Sequence, residues 1–377
     1  MSELPDVADN FTALAGEPPE GVWVAPGRIN LIGEHTDYNG GYVLPFAIPQ
    51  AARLAAGRRD RDVWRFRSLD LQSTVEQESL TPGTHGWHSY LAGVVWSLRE
   101  AGHSVGGADF VLTSDVPIGA GLSSSAAIEC ATLTALCDLY HLDIDPMQRA
   151  RLAQRAENAY VGAPTGLMDQ AASTLCTADH ALFLDCHTLE VRQVPLDVRA
   201  AGLEILVVDT KTPHSHVDGE YAARRASCER ACRILGIDLL REVTDLDAAL
   251  ARLPELEARR VRHVVTENQR VLEAVDALAD ADFARVGRLM TASHASMRDD
   301  YEITVPTVDL AVETLLGAGA LGARMTGGGF GGCVLALIPA ADAEAAATAV
   351  QRAFTAAGFG APVSFLAHPS AGARRLA

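Results

Sequence analysis

The sequence predicts an α+β protein of two lobes, and three observations carry that expectation. Its 377 residues exceed what one hydrophobic core usually organises. Strand-like and helix-like stretches come in runs rather than in strict alternation, which argues against a doubly wound parallel sheet. No internal repeat or low-complexity linker interrupts the chain. The lobes are placed at residues 1–190 and 191–377, with the boundary falling within 185–202.

Each element follows from local pattern. Residues 22–32 (VWVAPGRINLI) read as a strand interrupted by a Pro-Gly turn, and 41–48 (GYVLPFAI) as strand resumed after an NGG turn signal. Residues 51–80 alternate as further strands, and 88–101 (HSYLAGVVWSLREA) has helical spacing. FVLTSDVP (110–117) is a strand running into a Gly/Ser loop, followed by helical patterns over 125–139 and 147–161. In the second half LEILVVDT (203–210) is a buried strand. Helical patterns follow at 218–235, 245–253, 262–279 and 281–297. Near the end come a glycine-rich turn, the strand CVLALIP (333–339), a helix at 341–357, and the strand VSFLA (363–367).

The composition, 48% hydrophobic and 21% charged, is that of a globular protein, and the formal net charge is −17. Such acidity argues against nucleic acid or an anionic membrane as partner, though backbone N–H groups can still hold a phosphate. The opening MSELPDVADNFTALAGEPPE lacks the basic and apolar regions of a signal peptide, and no apolar run is long enough to span a bilayer. Seven scattered cysteines (Cys130, Cys137, Cys176, Cys186, Cys228, Cys232, Cys333) show no CxxC, which fits a reducing cytoplasm. Cys228 and Cys232 share a helix face and are expected to be a buried structural pair. His214 and His216 form an H-x-H that reads better as a polar loop than as a metal site.

Four stretches concentrate the chemistry. In PIGAGLSSSAA (117–127) Gly119 and Gly121 let backbone N–H groups approach a ligand, and three serines lead into a helix start. That combination cradles phosphates, yet without Gly-Lys-Ser/Thr it is no Walker A loop. The plainer reading is a serine-capped turn. In RAENAYVGAPTGLMDQA (155–171) two carboxylates flank a glycine-bearing turn. Glu157 suits a magnesium ion and Asp169 suits a hydroxyl; alternatively Glu157 is solvated and Asp169 an N-cap. MTGGGFGGC (325–333) permits close backbone approach, either to a ligand or to another backbone segment. GRINLIGEHTDYNGG (27–41) crowds Arg28, Glu34, His35 and Asp37 into one loop, a set suited to the several hydroxyls of a small polar molecule.

These stretches, in this order and over nearly the whole chain, resemble the galactokinase family, in the superfamily that also holds homoserine, mevalonate and phosphomevalonate kinases. GRINLIGEHTDYNGGYVLP resembles its sugar signature, PIGAGLSSSAA its ATP-phosphate loop and MTGGGFGGC its third glycine motif. The resemblance implies a two-lobed sugar kinase with its active site between the lobes. It implies galactose and MgATP as partners, and galactose 1-phosphate and ADP as products. Glu34, His35, Thr36, Asp37, Gly166, Asp169 and Tyr221 would face the sugar. Asp169 would be the catalytic base beside the C1 hydroxyl, with Arg28 stabilising charge. Gly119, Ala120, Gly121, Leu122, Ser123, Ser124 and Ser125 would cradle the nucleotide phosphates, with Ser68 nearby. Ser125 and Glu157 would hold Mg2+. The chain departs from the family pattern at Asn158 and Thr165, where AEH and a cysteine are frequent, and in TKTPHSHVDGE before Tyr221. Neither departure is expected to touch a residue needed for the chemistry.

A free aspartate, with pKa roughly 3.9, is a weak base for an alcohol, so Asp169 would act late or chiefly by orientation. Two alternatives remain beside this reading: an N-acetylated galactose as acceptor, and a non-catalytic sugar- and ATP-binding regulator on the same fold. The intact Ser123–Ser125 run and Asp169 favour the enzyme. The protein is expected to be a monomer or weak homodimer.

Overall fold

A computed structural model describes residues 6–212 and 217–377; His214 and His216 lie outside the described residues. The strands are β1 (Gly21–Asn30), β2 (Tyr42–Val43), β3 (Pro45–Arg58), β4 (Trp64–Ser68), β5 (Ser73–Gln77), β6 (Ala108–Ser114), β7 (His180–Asp185), β8 (Val191–Pro195), β9 (Leu203–Asp209), β10 (Gly322–Thr326), β11 (Cys333–Pro339), β12 (Val363–Ala367) and β13 (Arg374–Arg375). The helices are α1 (Val7–Ala15), α2 (Ser89–Glu100), α3 (Ser124–Leu139), α4 (Pro146–Arg155), α5 (Met168–Leu175), α6 (Val217–Leu235), α7 (Leu246–Leu250), α8 (Glu255–Ala279), α9 (Phe283–Ser296), α10 (Pro306–Gly317) and α11 (Ala343–Ala357).

One sheet runs β13-β1-β3-β6-β4-β5, antiparallel except where β4 lies parallel to β6. A second runs β10-β11-β9-β12, and β2-β7-β8 form a third. The architecture is therefore α+β, as the runs of like elements imply. Alternation along β3 and β6 sends Leu54, Ala56, Phe110 and Leu112 into the main core, and Ala55 and Val111 toward Val7 and Phe11 of α1. Both faces are covered, and β1 is buried along nearly its whole length, Arg28 and Asn30 included. Val207 of β9 with Leu335 and Leu337 of β11 joins the core of the first sheet, while Val208 and Val334 face a second core under α10 and α11. The two sheets thus pack through one shared interior.

Helix α3 carries the geometry of the site. It packs on β1, β3, α2, α4 and α5, and twelve of its sixteen residues are buried. Alanine, threonine and cysteine at eight of those positions allow close approach.

The expected Pro-Gly turn in 22–32 is instead a bulge: β1 runs unbroken against β3, with its register shifting between Pro26 and Arg28. The bulge keeps the proline within the strand, and the Arg28 N–H donates out of the ladder to the Leu122 carbonyl at 3.1 Å. The pattern over 147–161 is α-helical only to Arg155, then widens to a π-turn at Ala156–Val161, which Gly162 closes in the left-handed region. The 262–279 pattern begins earlier, at Glu255 after Pro254.

Candidate active site

The loop from β6 to α3, the β1 bulge, the turn before α5 and the glycine run after β10 meet around one cavity of about 560 Å³. That volume suits a small polar acceptor with a nucleotide tail. Gly119, Gly121, Leu122, Ser123, Ser124 and Ser125 line it at the start of α3, where free N–H groups and the helix dipole favour an anion. Ala120 is turned away, its methyl in the core, so only its backbone belongs to the loop surface.

Ser123 does not make the cap of the plainer reading. It precedes α3 with φ 60°, and its side chain makes no capping bond. Its hydroxyl instead donates to Asp169 Oδ2 at 2.7 Å. Asp169 Oδ1 accepts from Arg28 Nε at 2.9 Å and lies 2.6 Å from Nη2. The third guanidinium nitrogen, Nη1, donates to the carbonyl of Gly121 at 2.6 Å. Arg28 therefore ties the carboxylate to the phosphate-type loop. Asp169 is no N-cap: α5 starts one residue earlier, after Leu167.

Glu157, in the π-turn, is buried at the other end of the loop. Its Oε2 accepts from Thr165 Oγ1 and from Gln170 Nε2, each at 2.7 Å, and Ser125 also hydrogen-bonds its side chain. Burial pushes its carboxyl up, against the pull of Thr165 and Ser125. A carboxylate and a hydroxyl beside an anion loop are hard oxygen donors of the kind Mg2+ takes, with phosphates completing its shell. The residues present fit that ion. Asn158 accepts from the Thr165 N–H at 2.9 Å, and Thr165 lines the cavity. Of the two departures, Thr165 thus hydrogen-bonds Glu157 directly and Asn158 holds Thr165.

Across the cavity Asp37 begins a 3₁₀ turn over Asp37–Asn39. Burial, reinforced by nearby Asp169, pushes its carboxyl up to about 6. Gly166 is obligatory here: a Cβ at this residue would lie 1.7 Å from Asp37 Oδ2. Tyr221 of α6 lines the same wall, its ring 5.0 Å from that of His35.

His35 faces the cavity, but both ring nitrogens have protein partners: Nδ1 is 2.7 Å from Tyr38 Oη and Nε2 3.1 Å from the Gly328 carbonyl. Burial lowers its pKa to about 3, so the ring is neutral. The carbonyl requires the proton on Nε2, leaving Nδ1 to accept from Tyr38. Glu34 lies deeper. Its carboxylate accepts from Arg324 Nη2 at 2.6 Å, Asn30 Nδ2 at 2.6 Å, the Gly327 N–H at 2.8 Å and Thr326 Oγ1 at 3.2 Å. Burial drives its carboxyl up and Arg324 draws it down. Three N–H donors around two oxygens, one of them the Arg324 guanidinium, leave the ionised form as the one that fits.

Two expectations are corrected. Thr36 is a turn residue, its hydroxyl bonded to the carbonyls of Gly33 and Tyr42, and it does not line the cavity. Ser68 ends β4 buried, its hydroxyl accepting from the Leu71 N–H, also away from the cavity. In the glycine run at 327–332, Gly327 and Gly328 line the cavity, and the run approaches another backbone segment closely: a Cβ on Gly327 would come within 3.0 Å of the Gly121 carbonyl. Asn30 and Gln170 lie inside two of the four stretches but were not singled out there, and Arg324 falls one residue before a third.

Three family descriptions match the chain: the galactokinase galactose-binding signature over residues 9–58, the GHMP kinases N terminal domain over 89–177 and the GHMP kinases C terminal over 274–356. A galactokinase of Streptomyces coelicolor is 54% identical over 98% of both chains. One of Mycobacterium tuberculosis is 49% identical over 93% of this chain and 97% of its own. Among solved structures, Lactococcus lactis galactokinase complexed with galactose superposes with TM-score 0.92 at 33% identity, covering 98% of each chain. A mevalonate kinase of L. major shares the fold alone, with TM-score 0.63 at 19% identity over 94% of this chain and 99% of its own.

Proposed function

As the chain belongs to the galactokinase family of kinases, we propose that its cavity binds galactose beside MgATP and passes the γ-phosphoryl group to the sugar's C1 hydroxyl. The observation that carries this reading is the Arg28 guanidinium, which joins Asp169 to the Gly121 carbonyl of the phosphate loop. It sets the carboxylate that meets the acceptor against the loop that meets the donor. Positioning of this kind is most of what phosphoryl transfer needs from a protein.

The sugar lies against Asp37, Asp169, Tyr221 and the backbone at Gly166, with Glu34 and His35 shaping the floor. The C1 oxygen attacks the γ-phosphorus, the bond to the β-phosphate oxygen breaks, and ADP departs. Asp169 Oδ2, held by the neutral Ser123 hydroxyl, accepts the C1 proton, since Oδ1 faces Arg28. Arg28 offsets charge that develops on the transferring group. N–H groups from Gly119 to Ser125 hold the phosphates, and Ser125 with Glu157 hold Mg2+. When bound, that ion neutralises phosphate charge and orients the oxygens.

The two-lobe division at 1–190 and 191–377 belongs to the same proposal, as does a monomer or weak homodimer. So does a cytoplasmic location, supported by seven free cysteines and by the absence, among the described residues, of a helix able to cross a membrane. The test is ADP release from MgATP across galactose, glucose, N-acetylgalactosamine, mevalonate and homoserine. Galactose-dependent release is expected. Faster release with N-acetylgalactosamine would move the acceptor, and silence on every acceptor would defeat the reading.

A further inference from the structure

Beneath the cavity a fully buried charge cluster connects three elements. Arg324 of β10 has no exposed surface, and its Nη1 donates to the carbonyls of Asn30 at 3.1 Å and Leu31 at 3.0 Å. Its Nη2 donates to Glu34 at 2.6 Å and lies 3.7 Å from Glu267 Oε1 on α8. Glu267, equally buried, accepts from the Gly33 N–H at 2.9 Å, Ser293 Oγ at 2.6 Å and Arg270 Nε at 2.7 Å. His263 of α8 completes the surroundings, 3.1 Å from the Glu34 carbonyl. Burial keeps that imidazole neutral by lowering its pKa to about 4, so Arg324 is the cation in contact with Glu34.

Two carboxylates this close, both out of water, remain charged only beside a cation. Arg270 serves Glu267 and Arg324 serves Glu34. Arg324 also fixes the backbone leading into the Glu34 loop. Neither Arg324 nor Glu267 lines the cavity. We propose that Arg324 is a positioning residue for the acceptor site: it keeps the Glu34 carboxylate charged and aimed at the cavity floor, and acceptor affinity depends on it. The affinity half of this inference rests on the galactose reading; the charge half does not.

The test uses Arg324→Met, with Arg324→Gln in parallel should the methionine variant fail to fold, because glutamine keeps an amide donor for the two carbonyls. Infrared difference spectra against the wild type at pH 7 should show an added protonated-carboxyl band in either variant. The double variant R324M/E34Q should lack it, and Arg324→Lys should suppress it by restoring a charge. Galactose affinity by calorimetry should fall roughly tenfold or more in R324M and recover in part as pH rises and Glu34 loses its proton. Wild-type affinity should be flat over the same range, and the KM for ATP should change little. Absence of the band in both uncharged variants overturns the proposal, as does a band without loss of galactose affinity. A band in R324M together with a wild type that ignores galactose supports the charge anchor and overturns the galactose reading instead.

Discussion

Asp169 is the residue on which the chemistry turns, because both its oxygens are held while its face stays open to the cavity. Asp169→Asn is expected to lower kcat by about 10³-fold, while galactose binding measured by calorimetry changes little; residual turnover near wild type would refute its role. Arg28→Lys should cost at least about tenfold in kcat, since an ammonium cannot contact Asp169 and the Gly121 carbonyl together. Asp37 offers a test through pH. Its carboxyl is raised to about 6 from a usual 3.8, chiefly by burial and then by Asp169. Between those values the folded chain holds a proton that the unfolded chain releases, so this group's contribution to stability falls as pH rises from 4 to 6. Asp37→Asn should remove that slope and stabilise the apo protein above pH 6 by roughly 1–3 kcal/mol, while weakening galactose binding. Thermal melts across pH 4–8 read the effect, and parallel curves for both proteins would refute it. Most residues of this site were legible in the sequence, because Arg28, Glu34, His35, Asp37 and the serine run lie in short dense motifs. Thr36 was misjudged since its neighbours were right and its hydroxyl had a nearer partner in the turn.

At the scale of elements, two π-turns do work that regular helix would not. Ala156–Val161 swings Glu157 inward beside Thr165 and Gln170. Met297–Tyr301 places Tyr301 Oη 2.9 Å from Tyr38 Oη, behind His35. Thr165→Val removes one donor to Glu157 without changing shape. It should raise the KM for MgATP about three- to tenfold and leave that for galactose unchanged; a shift confined to galactose would place Thr165 with the sugar instead. Sequence periodicity found the strands Cys333–Pro339 and Val363–Ala367 to the residue. It did not find the π-turn, because a single widened turn leaves the apolar spacing nearly intact. It misread Pro26-Gly27 as a turn, because a bulge spends the same residues without ending the strand. α1 and α10 went unassigned, and α1 matters only through its packing of Phe11 on the far face of the first sheet.

For the molecule as a whole, the fold class followed from the runs of like elements, but the joining of its halves did not. Contacts that assemble the cavity span the chain: Gly33 with Glu267, Asn30 with Thr326, His35 with Gly328. Local spacing carries no record of such pairings, and Arg324 was invisible for the same reason. The central claim is transfer to the C1 oxygen of galactose, and proton-coupled phosphorus NMR of the reaction with MgATP tests it most directly. A phosphate on C1 couples to the single anomeric proton, so the account predicts a sugar-phosphate doublet that disappears with Asp169→Asn. Coupling to any proton other than the anomeric one, whether a doublet from another ring position or the triplet of a phosphate on C6, or no sugar phosphate at all, would contradict it.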